Sequence, residues 1–159
     1  MTIQQIFRTT FLGAVLALTA CSTAKIEDPA EQERLRNLTA PADMALVYFV
    51  RPAAVGAAIS MSVTCDGSPI GATNGKRYIF AYVKPGKREF VSKAENKDEL
   101  LIELEAGKTY YFEQEVKMGI LYARNRLSRL EDADGKRKFA KCKLSGDFPA
   151  YVPAGASKK

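Results

Sequence analysis

Between Met44 and Met118 the chain is cut again and again by turn signals: Pro52, Asp66-Gly67, Asn74-Gly75, Pro85-Gly86 and Ala106-Gly107. The runs between them are short, and rich in β-branched and aromatic residues or alternating in polarity. Such punctuation leaves no room for long helices and predicts strands of about five to ten residues. Met44–Arg51 is continuously apolar and ends at Pro52, which cannot donate to a ladder. Ser60–Cys65 and Pro69–Ala72 flank Asp66-Gly67, the strongest short hairpin signal. Arg77–Val83 puts Tyr78, Phe80 and Tyr82 on one face, and Arg88–Ala94 follows the next turn. Glu99–Glu105 alternates, with Leu100, Ile102 and Leu104 inward, and Thr109–Met118 aligns Tyr110, Phe112 and Val116. The expected fold is all-β: an antiparallel sandwich of about seven strands. A short C-terminal helix within 131–144, carrying Phe139 and Cys142 on one face, closes it.

The ends of the chain read differently. Residues 1–20 hold one charge, Arg8, and the apolar run Phe11–Leu18. As a helix that run rises only about 12 Å, too short for a hydrocarbon core of about 30 Å, but it has the length of a signal-peptide core. Leu18-Thr19-Ala20-Cys21 resembles the lipobox of bacterial lipoproteins. The resemblance implies cleavage before Cys21, acylation of that cysteine (palmitate among the chains), and attachment to the envelope. Ser22, where an Asp would signal inner-membrane retention, points to the outer membrane, facing the periplasm. Residues 21–43 then form the lipidated cysteine and a flexible tether. Within it Asp28 and Pro29 open a marginal helix whose apolar face is only Leu35 and Leu38. The folded domain spans 44–148, and 149–159 is a frayed tail.

With Cys21 assigned to lipid, two of the three cysteines remain, Cys65 and Cys142. An even pair in an oxidising compartment predicts a disulfide, with two buried free thiols as the alternative.

The chain has no His and no Trp. It therefore lacks the commonest general base and metal ligand, and every Ser-His or Cys-His pair. Glu103, Glu105, Glu113 and Glu115 fall on the expected solvated sides of their strands, and Asp132-Ala133-Asp134-Gly135 lacks the rest of a calcium loop. No enzyme, cofactor or metal is expected. The charge is less even. Net charge is +6, and residues 124–143 hold eight basic groups against three acidic ones. Arg124, Arg126, Arg129, Lys136, Arg137, Lys138, Lys141 and Lys143 make a candidate contact surface for anionic lipid headgroups or an acidic envelope protein; nucleic acid is not expected in that compartment.

Taken in order, Val47–Pro52, Cys65–Gly71, Gly75–Tyr78, Val83–Lys87 and Leu104–Tyr111 resemble a family of bacterial envelope proteins defined only as a domain of unknown function. The resemblance covers about residues 44–145 and implies a β-sandwich of the prealbumin or PEGA-like kind, without an activity. The expected role is that of a lipid-anchored binding or structural module. The alternative is a small-ligand, carbohydrate or peptidoglycan binder using Tyr78, Tyr82, Tyr110 and Tyr111.

Overall fold

A computed structural model describes residues 29–118 and 123–145. Within these described residues nine strands build two sheets: β8-β7-β1-β4-β9 and β3-β2-β5-β6. The first contains β1 (Ala45–Arg51), β4 (Arg77–Val83), β7 (Thr109–Met118), β8 (Ala123–Leu130) and β9 (Lys143–Leu144). The second contains β2 (Met61–Cys65), β3 (Ser68–Thr73), β5 (Gly86–Lys93) and β6 (Lys97–Leu104). Two short helices, α1 (Pro29–Arg36) and α2 (Asp132–Phe139), complete the described chain.

The continuously apolar run becomes the central strand. Every residue of β1 is buried, because both faces of its sheet are covered. Ala45, Val47 and Phe49 face the second sheet, while Leu46, Tyr48 and Val50 face the helices. Its neighbours differ in direction: β4 runs antiparallel to β1, with Tyr48 opposite Phe80, and β7 runs parallel, with Tyr48 opposite Tyr111. The sandwich is thus not purely antiparallel, since β4–β9 is parallel as well. The second sheet is antiparallel throughout and begins with the hairpin at Asp66-Gly67. Both turn residues have positive φ, 48° and 78°, as a two-residue primed turn requires.

Between the sheets lies a phenylalanine-centred core. Phe49 stacks on Phe112 at 5.2 Å, and Phe90 meets both rings at 5.2 and 5.1 Å. Val47, Val63, Ile79, Leu104 and Leu127 pack around them, each side chain contributing about 1.5–3 kcal/mol by leaving water. At one end the same layer turns polar. Thr73 donates to Gln114 (2.6 Å), Gln114 to Ser92 (2.6 Å), and Ser92 to Asn125 (3.1 Å). Beside them Arg51, fully buried, donates to the carbonyls of Gly56 and Ile59, both at 2.5 Å, and so pins the loop after β1.

Two strands exceed the expected seven. β8 escapes a hydrophobicity reading because Arg124 and Arg126 alternate with the inward Asn125 and Leu127, yet it pairs with β7 along eight residues. β9 is only two residues long. The remaining differences lie in the helix layer. Part of the expected tether is folded: α1 packs its Leu35 onto the aromatic face of the five-stranded sheet, and Leu38 and Ala40 follow it there. A marginal helix in isolation, it docks because that face offers apolar surface and because Arg36 reaches the Cys142 carbonyl.

The expected Cys65–Cys142 disulfide is not formed; both are free thiols. Cys65 belongs to the inter-sheet core and Cys142 to the helix-side core, so the five-stranded sheet stands between them. Burial pushes the Cys65 thiol up to about 12 and the Cys142 thiol up to about 11, which keeps both protonated. Cys21, Asp28, the leader and the tail 149–159 lie outside the described residues.

Candidate functional site

The layer outside the five-stranded sheet is built on rings. Tyr48 lies nearly parallel to Tyr111 at 5.3 Å, and Phe139 of α2 touches Tyr48 and Tyr78 at 4.6 Å each. Helix α2 approaches so closely that Gly135 rests on Tyr111; a Cβ there would come within 2.4 Å of the ring. The glycine that weakens the helix in isolation is what lets it seat. Lys138 secures the contact by pairing with Glu113, which is buried beneath the helix instead of solvated as its alternation suggests. On the other flank the Arg36 guanidinium sits over the rings of Tyr78 and Phe139, at 5.7 and 5.5 Å.

Three phenols in this layer are shifted. Burial raises Tyr48 strongly, with Tyr111, Tyr78 and Tyr82 adding to it; burial also raises Tyr78, to about 12, and Tyr111. All three stay protonated at neutral pH, so each hydroxyl keeps a proton to donate. Among the described residues the hydroxyls of Tyr48 and Tyr78 are buried without a partner.

Where α1, the start of β7 and the start of α2 converge, a cleft of about 660 Å³ opens. Tyr48, Tyr110 and Tyr111 line it with Leu38, Arg36, Lys108, Arg129 and Lys136, and the start of α2 adds its N-cap Glu131 and first residue Asp132. Arg129 lies over the Tyr110 ring at 5.2 Å, and Lys108 pairs with Glu105 at 2.7 Å.

The eight basic candidates do not form one patch. Arg124 and Arg126 are exposed on the helix side of β8. Arg129 turns into the cleft, where Lys136 joins it. Arg137 pairs with Asp134, and Lys138 is committed to Glu113. Lys141 and Lys143 are exposed near β9, at the opposite edge of the sheet, about 19 Å from β8 at normal strand spacing. The tyrosine candidates separate as well. Tyr78, Tyr110 and Tyr111 are buried and Tyr82 half-buried, so they offer no open stacking platform. Sequence reasoning missed Arg36, Tyr48 and Lys108. The available signal was Tyr48 itself, a hydroxyl inside an otherwise apolar strand.

The profile of a family described as a protein of unknown function, DUF2846, matches residues 41–125, and the chain belongs to this family. It is also similar to an uncharacterized protein of Haemophilus influenzae, 23% identical over 146 residues that cover 90% of this chain and 87% of the relative.

Proposed function

We propose that this member of the family is a lipid-anchored, non-catalytic binding module of the bacterial envelope, with a sandwich of the prealbumin or PEGA-like kind. Acyl chains on Cys21 hold it in the outer membrane, facing the periplasm, and its helix layer is directed toward an anionic surface. The observation that carries the reading is the docking of α1. Because Pro29 already belongs to the folded body, only about 28 Å of fully extended chain separates it from Cys21. A surface that holds Cys21 therefore lies close to the layer bearing Arg124, Arg126 and Lys141. Near anionic headgroups each such cation contributes up to about 1 kcal/mol, fading within a Debye length of about 8 Å.

The test is fractionation of Cys21→Ser beside the native protein. The native protein is expected in the membrane fraction and the variant in the soluble fraction; a variant retained in the membrane overturns the anchor. Binding of the full-length Cys21→Ser protein to vesicles containing phosphatidylglycerol should fall steeply with salt. It should also fall on replacement of Arg124, Arg126 and Lys141 by Ala. Lys138 is left intact there because it holds Glu113.

A further inference from the structure

The cleft beside α2 combines features that the fold alone does not require. Its volume, about 660 Å³, is that of a small-molecule site. Arg129 and Lys136 line it without a carboxylate partner among the described residues, while the lining carboxylates, Glu131 and Asp132, occupy the N-cap and first residue of α2, where the helix dipole favours acids. Tyr48, only 2% exposed, lines the same cleft and keeps a hydroxyl without a partner among the described residues. A buried donor left unpaired costs about as much as a lost hydrogen bond, so its retention in the central strand calls for a use. Tyr48→Phe would remove that cost and leave the ring contacts with Tyr111 and Phe139 unchanged.

We propose that this cleft binds the oxyanion of a small organic acid or phosphate ester, with Arg129 and Lys136 supplying the countercharge and the Tyr48 hydroxyl donating a hydrogen bond to the ligand. The Arg129 guanidinium is held by the Tyr110 ring, which lines the same cleft, so it is positioned before a ligand arrives. The site forms inside the folded body and does not depend on the anchor at Cys21.

Isothermal titration of the full-length protein in detergent, with citrate, glucose 6-phosphate and inorganic phosphate at constant ionic strength, tests the proposal. Saturable binding of at least one probe is expected. Preference for citrate would identify a carboxylate ligand, and preference for either phosphate a phosphoryl group. Arg129→Ala should weaken that binding at least tenfold. Tyr48→Phe should weaken it severalfold without lowering the melting temperature. Tyr78→Phe, which removes the other unpaired hydroxyl but does not line the cleft, should leave it unchanged. Absence of saturable binding by all three probes overturns the proposal, as does a Tyr48→Phe variant that binds as tightly as Tyr78→Phe.

Discussion

The two faces of the five-stranded sheet are packed in opposite ways. Toward the second sheet, Phe49, Phe90 and Phe112 interlock, and the polar side chains at the end of that layer are chained from Thr73 to Asn125, with Asn125 Nδ2 and Arg51 Nε unpartnered among the described residues. Toward the helices, the rings are mostly tyrosines, the hydroxyls of Tyr48 and Tyr78 have no partner among the described residues, and a guanidinium rests on the aromatic surface. The first face is closed by strands that the family profile covers. The second is closed by α1, α2, Cys142 and Leu144, all outside residues 41–125. The segment matched by the family profile thus supplies most of the two-sheet slab, while short flanking segments add β9 and most of β8 and build the layer that holds the cleft and the exposed cations.

This contrast can be broken by substitution, beginning with the largest effect. Phe49→Ala empties the centre of the inter-sheet core and should cost about 3–5 kcal/mol in urea denaturation, unfolding both layers together. Gly135→Ala drives a methyl into Tyr111 and should cost about 1–3 kcal/mol. Its signature is local: hydrogen exchange should accelerate in α2 while β1 and β4 stay protected. Equal acceleration everywhere would mean that the helix layer is not a separate unit.

Lys138→Ala strands the Glu113 carboxylate under α2. Because Lys138 is partly exposed, the loss should be about 2 kcal/mol, below that of a fully buried pair. Glu113→Gln in the same chain should recover part of it, as read by the urea midpoint.

Alkaline pH acts on both layers. Each thiol pKa is raised on folding, so its stabilising share is complete below about 9, the unfolded value. It is lost as pH climbs toward about 11 for Cys142 and about 12 for Cys65. The urea midpoint should therefore fall above pH 9, and Cys65→Ala or Cys142→Ala should each flatten that fall. Tyr78→Phe is the smallest effect, a gain of up to about 1 kcal/mol from removing an unpaired buried hydroxyl.

Much of the slab was legible in the sequence. The Asp-Gly and Asn-Gly turns, the fully apolar β1 and the alternation in β6 identify seven of the strands and the inward residues, because each signal is local. β8 was hidden because its outward positions are arginines, so it reads as a charge run. The helix layer was less legible for a different reason. Leu35 and Leu38 are too few to predict docking, and the surface that receives them is assembled from strands distant in sequence. The disulfide expectation failed on the same ground, since counting cysteines does not reveal that a sheet lies between Cys65 and Cys142. The cleft was nearly invisible, although Arg129 and Lys136 were both among the basic candidates.

The most direct measurement is hydrogen exchange of the full-length protein in vesicles containing phosphatidylglycerol, compared with purely zwitterionic vesicles. The account predicts added protection in α2 and β8, with the outer face of the four-stranded sheet, from Lys87 to Glu103, unchanged. Added protection on that outer face, or on neither, would contradict the assignment of the helix layer as the contact surface.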